Sequence, residues 1–347
     1  MNEKRDFSKM SKLARQALAE RIFIEYPRLI KLLKKIKHCR EYSKIAAEPE
    51  CMFISGYAGT GKTTLYAHYE KQYPRTRTES GVNIPVLSAA VPQRATEKTL
   101  VSEMLCRIED PAAETGSAYN QTSRLKMFIN DCGVEIVFLD EFQHFVDRDS
   151  KKVLKNVSDW LKNLIDATRK PIILIAQPYA EQVLDAPGNE QLQRRFLLRE
   201  TLEPFGWTDE YETDLKKKND KKKEFRAFLA AVDEQLPFNK RSNLADPTIA
   251  LRVYCGTNGR ISKVMAIMRK ATELALDSSL EALNLNVLAG AYEERLGKTQ
   301  PNMPNPFCYD HRKLEIIPFK EDIPQFLKER KAKKEERASD VLKKKRS

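Results

Sequence analysis

From residue 50 onward the chain alternates short apolar runs with longer amphipathic stretches. The runs are CMFIS (51–55), IPVLSAA (84–90), VEIVFLD (134–140) and PIILIAQ (171–177). Between them lie GKTTLYAHYEKQY, TEKTLVSEMLCRIE and VLKNVSDWLKNLIDATRK, with apolar residues at helical spacing. A run that is apolar throughout is buried on both faces, and an intervening helix returns the chain for a parallel neighbour. The pattern predicts an α/β fold whose parallel sheet is covered by helices on both sides.

The flanks read differently. Residues 10–45 look helical, with Leu29, Leu32, Leu33 and Ile36 in one apolar stripe. After LLRETLEPF the strand pattern stops. DEYETDLKKKNDKKKEFRAFLAAVDEQL and GRISKVMAIMRKATELAL read as helices on either side of a proline-containing loop at 237–247. TQPNMPNPFCYD (299–310) holds three prolines and breaks the helical pattern. The expected division is an N-terminal helical region (1–48), an α/β core (49–205), a small helical lid (206–297) and a basic tail (298–347).

Composition adds limits. No apolar run approaches the ~18 residues of a spanning helix, and the start MNEKRDFSKMSKLARQ lacks a signal peptide's apolar stretch. Six scattered cysteines without a CxxC pair fit reduced thiols rather than a zinc site. The expectation is a cytoplasmic protein away from membranes. Net charge is +12, and it sits at the ends. Residues 1–50 hold 13 Lys/Arg against 7 Asp/Glu, and residues 326–347 hold 10 against 4. Such ends fit phosphate contact or an acidic partner, and equally solvated helices and a frayed tail.

GYAGTGKTT (56–64) carries the sharpest chemistry. Gly56, Tyr57, Ala58, Gly59, Thr60, Gly61, Lys62 and Thr63 fit GxxxxGK[ST], after a strand-like run and before a helix-like one. Backbone N–H groups must turn inward around phosphates, so side chains are absent at the tight points. The helix start, including Thr64, adds positive partial charge. Lys62 is placed to reach the β and γ phosphates of ATP, and the Thr63 hydroxyl to ligate Mg²⁺.

IVFLDE (136–141) supplies the carboxylates. Asp140, ending a buried strand, is expected to hold Mg²⁺ through water, and Glu141 to polarise the attacking water. Gln177, at the tip of the next strand, is a candidate γ-phosphate sensor between the two, where Asn or Thr is more usual. In NEQLQRRF, Arg194 or Arg195 is a candidate finger for a neighbouring subunit's γ-phosphate, the alternative being an intrachain salt bridge. Arg260 and Lys263 open a lid helix, where one could touch phosphates from above or serve as a surface charge. Phosphate loop, acid strand, polar strand tip, arginine finger and helical lid, in that order, form the plan of an AAA+ P-loop ATPase, with nucleotide bound between subunits.

The sequence resembles, more narrowly, the TnsC/TniB family of transposition ATPases over about residues 22–290. FIEYPRLIKLLKKI, GYAGTGKTTL, IVFLDEFQHF, VLKNVSDWLKNLIDATRKPIILIAQPYAEQVL, NEQLQRRF, LPFNKRSNL and NGRISKVMAIMRKA carry the likeness. Two departures stand out: Gln143 where histidine is expected, and Gln177-Pro178 where a Gly-Thr pair is more usual. The resemblance implies a bacterial regulator that forms rings or helical filaments of its own copies on double-stranded DNA in the ATP state. It implies a link between a TniQ/TnsD-like target-selection factor and the transposase, reset by hydrolysis. The basic tail resembles those of Tn7-like elements, including CRISPR-associated ones, and is a candidate dock for transposase.

DNA contact is also argued from residues. Arg94, Thr96, Lys98 and Thr99 sit where a loop becomes a helix, a setting suited to a phosphate backbone. Lys151, Lys152 and Lys155 form a second candidate set. Both also fit a solvated helix face. No base-reading set is visible, so the expected binding is sequence-independent and salt-sensitive. A replication-initiator or helicase-loader ATPase shares these features, and a nucleotide-dependent signalling switch that never touches DNA shares the nucleotide site.

Overall fold

The structure, a computed structural model, describes residues 6–79, 81–147, 151–185, 190–207, 215–299 and 304–316. Two helices lead, α1 (Lys12–Glu20) and α2 (Pro27–Tyr42). The core follows as β1 (Met52–Gly56), α3 (Lys62–Gln72), β2 (Thr76–Thr78), β3 (Gly81–Asn83), β4 (Val86–Ala90), α4 (Glu97–Ile108), α5 (Ala118–Asp131), β5 (Ile136–Asp140), α6 (Gln143–Val146), α7 (Lys151–Thr168), β6 (Ile172–Ala176), a 3-10 turn (Pro178–Val183), α8 (Glu190–Arg195) and β7 (Leu198–Leu202). Among the described residues four helices follow: α9 (Leu215–Gln235), α10 (Pro247–Thr257), α11 (Ile261–Asp277) and α12 (Leu285–Arg295). All these elements lie within one compact unit, Met1–Ile317, and the tail beyond it falls outside the described residues.

Five strands form the sheet in the order β4-β5-β6-β1-β7, and every pairing is parallel. The chain builds outward from β5 to β6, then steps over β1 to place β7 on its far side. Side chains alternate between two apolar clusters. Met52, Ile54, Ile136, Phe138, Ile173 and Ile175 point to one face. Phe53, Val137, Leu139, Ile172, Leu174 and Ala176 point to the other. With period two, a strand buried on both faces has to be apolar at every position, which is why these runs are unbroken.

The second face is covered by α4, α5 and α7 through residues such as Leu105, Leu125 and Leu161. The first face carries α3, and its cluster continues without a break into α1–α2 and the C-terminal helices, joining Leu29 and Ile36 to Phe225, Val264 and Tyr292. Polar clamps fix the same arrangement. Arg15 makes a two-pronged ion pair with Glu281 at 3.1 Å and donates from Nε to the Pro237 carbonyl at 2.8 Å.

Several elements differ from the sequence reading. The helix expected over 10–45 is two helices, separated by an extended stretch that ends at Tyr26 (φ −89°, ψ 159°). Proline disfavours helical backbone in the residue before it and suits the first helical position, which Pro27 occupies. The β2–β3 hairpin, α5 and α12 were not anticipated, and α10 begins at Pro247, the end of the expected loop.

Candidate nucleotide site

GYAGTGKTT leaves the C-terminal end of β1 and opens α3. Backbone geometry explains its glycines. Gly59 and Gly61 have φ of 81° and 97°, which side-chain-bearing residues rarely adopt. A Cβ on Gly56 would lie 2.9 Å from both the Leu202 carbonyl oxygen and the Thr60 hydroxyl. Thr60 is fully buried, its hydroxyl donating to the Tyr57 carbonyl at 2.9 Å. Tyr57 and Gly59 are half-buried, while Ala58, Thr63 and Thr64 are exposed. Lys62 is buried, and its Nζ donates to the carbonyls of Gly56 at 2.7 Å and Tyr57 at 3.1 Å. Burial holds its pKa below the ordinary lysine value, opposed by the charges of Glu141 and Asp140.

The end of β5 faces this loop. Asp140 is 2% exposed. One carboxylate oxygen, Oδ2, accepts from the Thr63 hydroxyl at 2.9 Å, and Oδ1 accepts from the Glu141 backbone N–H at 2.8 Å. Burial raises the Asp140 pKa, and those two hydrogen bonds partly counter it. Glu141 takes a left-handed backbone (φ 56°) that turns the chain sharply at the strand end. Its carboxylate accepts from Nε2 of Gln143, a 2%-exposed side chain. Gln143 Oε1 accepts from the Gln177 backbone N–H at 3.2 Å. Gln177 follows β6, the strand between β5 and β1, so topology puts its backbone between the acid strand and the phosphate loop. Thr63 and Asp140 offer oxygen donors alone, the set that suits Mg²⁺ rather than a softer ion.

The C-terminal helices close over the loop. Ser262, in the first turn of α11, donates its backbone N–H to the Gly59 carbonyl at 3.0 Å. Arg260, at the N-cap of that helix, and Lys263 are both half-buried beside this contact. Next to it lies a cavity of about 190 Å³ with mixed walls, apolar at Phe23, Tyr26, Phe228, Ile261 and Met265 and polar at Thr64, Ser262 and Arg269. Its wall is braced by Phe23 stacking on His68, with ring centroids 3.9 Å apart. Sequence reasoning missed this cavity, because its walls come from the extended link after α1, from α9 and from α11. The available signal was IFIEYP, an apolar stretch ending at a proline.

Other candidates lie apart. β7 runs parallel to β1, so Arg195 before it sits at the opposite end of the sheet from the phosphate loop of its own chain. A five-residue strand puts about 17 Å between those ends. Its guanidinium pairs with Asp166 at 2.5 Å and lies 3.9 Å from Glu48, while Arg194 is exposed. The Arg94–Thr99 segment leaves β4 at the same sheet edge as the loop, next to Asp140, whose carbonyl accepts from Val91 N–H at 2.8 Å. Thr96 and Thr99 cap α4 reciprocally, each hydroxyl accepting from the other's backbone N–H at 3.2 and 2.8 Å, which leaves Arg94 and Lys98 as the exposed cations there. Lys151 opens α7, with Lys152 and Lys155 exposed in its first turns.

The geometry has relatives. A family model described as bacterial TniB protein matches residues 14–206. No curated protein matches the chain. Among solved structures, the Aeropyrum pernix ORC1 protein in complex with DNA aligns with TM-score 0.53 at 15% identity, over 84% of this chain and 72% of its own. The Aeropyrum pernix ORC2 protein in its ADPNP-ADP complexes aligns with TM-score 0.53 at 14% identity, over 80% and 71%. Drosophila ORC bound to DNA aligns with TM-score 0.51 at 16% identity, over 87% and 72%. At these identities the likeness is one of fold, that of an AAA+ P-loop NTPase with a parallel sheet.

Proposed function

The chain belongs to the bacterial TniB protein family, and from that premise we propose that it is an ATP-dependent regulator of transposition. It oligomerises on double-stranded DNA and links a target-selection factor to the transposase. The observation that carries the nucleotide half of this reading is the meeting of Lys62, Thr63 and Asp140 at one sheet edge, with Glu141 next to them.

The roles follow from position. Backbone N–H groups of 59–64 and Lys62 take the phosphates, and the cavity beside Thr64, with its aromatic and aliphatic wall, takes the base. Thr63, and Asp140 through water, would hold Mg²⁺, which would neutralise phosphate charge. Glu141 orients a water whose oxygen bonds to the γ-phosphorus as the β–γ bridge breaks. The water's proton passes to the carboxylate, and ADP leaves with the electron pair. Gln177 senses the γ-phosphate, and Arg260 or Lys263 reports it to the lid. Arg195 or Arg194 completes a neighbour's site, since neither reaches its own.

Gel shift with random duplex and a slow-hydrolysing ATP analogue tests this reading. Lys62→Ala is expected to lose both analogue binding and assembly on DNA. DNA binding that ignores nucleotide altogether refutes it. The fold's likeness to origin-recognition proteins favours a second reading, a replication-initiator or helicase-loader ATPase. Capture of a transposase by the intact protein, lost on removing residues 318–347, separates the two.

A further inference from the structure

Gln143 is a buried amide with both ends engaged, and nothing in the phosphate-loop chemistry assigns it a task. Its Nε2 donates to the Glu141 carboxylate, and its Oε1 accepts from the Gln177 backbone N–H at 3.2 Å. The side chain is 2% exposed, so neither bond competes strongly with water. The two bonded segments are the one after β5 and the one after β6. They are tied a second time by Tyr179, which donates its hydroxyl to Asp147 Oδ1 at 2.7 Å; within the first segment, His144 Nδ1 lies 3.2 Å from Asp147 Oδ2.

We propose that Gln143 is a positioning residue for hydrolysis: it locks the Glu141 carboxylate to the tip of β6, so the water-orienting group moves only when that tip moves. This rests on the proposed role of Glu141. An amide group is planar and rigid, so a displacement of the Gln177 backbone passes directly to the carboxylate. The bond to one carboxylate oxygen leaves the other available for a water. Glu141 alone would lack this constraint, because it sits on a sharp left-handed turn with three rotatable side-chain bonds. Gln143 is thus the point at which contact of a γ-phosphate with the β6 tip becomes orientation of the base.

The test uses the full-length protein with duplex DNA and measures steady-state ATP hydrolysis and analogue affinity. Gln143→Met keeps the volume and removes both bonds. It is expected to lower kcat at least tenfold, with KM and analogue affinity within twofold of wild type. In a Glu141→Gln background the same substitution is expected to change single-turnover hydrolysis by less than twofold, because the path through Glu141 is already cut. If Gln143→Met does not fold, Gln143→Glu keeps the acceptor for Gln177 N–H, puts a second carboxylate against Glu141, and is expected to lower kcat likewise. Wild-type kcat in these variants overturns the proposal. So does a loss that persists in the Glu141→Gln background, or one shared equally by kcat and analogue affinity, since either marks a merely structural role. If Glu141→Gln itself hydrolyses like wild type, the reading of Glu141 fails first.

Discussion

The Thr63 hydroxyl donates to Asp140 Oδ2 at 2.9 Å across 77 positions of sequence. That bond closes the phosphate loop onto the acid strand, and it uses the two side chains whose oxygens suit a hard cation.

Asp140→Asn is therefore expected to trade stability against function. Burial raises the Asp140 pKa above its ordinary 3.8, so the folded chain holds this proton more tightly than the unfolded chain. The ionised form costs stability, and that cost grows as pH rises through the folded pKa. The nucleotide-free variant should melt above wild type at pH 7, with the gap narrowing toward pH 4. Wild type at a hundredfold excess of Mg-ATP over Kd gains about 2.7 kcal/mol of stability, and the variant should lose most of it. Differential scanning fluorimetry with and without Mg²⁺ measures both effects.

Gly59→Ala is expected to be more damaging than a typical loop substitution. Its φ of 81° disfavours a side chain, and the new Cβ would lie 2.2 Å from Ser262 Oγ. Strain of this kind costs roughly 1–3 kcal/mol. Denaturant melts should show that loss, and analogue affinity should fall with it. A variant as stable as wild type would contradict the contact between this loop and α11.

Arg195→Ala should keep analogue affinity within a few-fold yet lose hydrolysis by about 10³-fold or more, the lower end of what an arginine finger is worth. Mixing it with Glu141→Gln restores some interfaces to working order, so hydrolysis should reappear at intermediate ratios. No recovery at any ratio argues against a shared site. Arg194→Ala run in parallel decides between the adjacent arginines. Asp166→Asn removes the carboxylate that holds Arg195 in the isolated chain and should not abolish hydrolysis.

Arg94→Ala and Lys98→Ala should each weaken duplex binding to a similar degree on any sequence. Each should also lower the slope of log K against log salt by about one. Thr96→Ala removes the reciprocal cap instead, costing about 1 kcal/mol of stability while leaving the salt slope unchanged. Fluorescence anisotropy across a salt series distinguishes these outcomes.

Much of the fold was legible because β1, β5 and β6 are buried on both faces and so appear as unbroken apolar runs. The glycine-rich turn between β1 and α3 was legible because its residues are consecutive. The break before Pro27 was signalled by the proline itself, yet apolar spacing across IFIEYP masked it. α5 was missed although Ser117 caps it and Leu125 and Ile129 repeat at helical spacing. α12 likewise offered Asn284 as a cap, then Val287, Leu288, Ala291 and Tyr292 on one face. The base-sized cavity and the Gln143 bridge were beyond sequence reasoning for another reason. Each joins segments that meet only once the sheet has formed, and no local pattern records that Gln143 and Gln177 lie just past the ends of adjacent strands.

The hydrogen bond from Ser262 to the Gly59 carbonyl puts the sheet's most glycine-rich turn and the last helices one peptide group apart. No relay is needed between them. On the proposed reading, a nucleotide that reshapes the turn pulls on α11 directly, and a wedge driven into that seam would jam both at once.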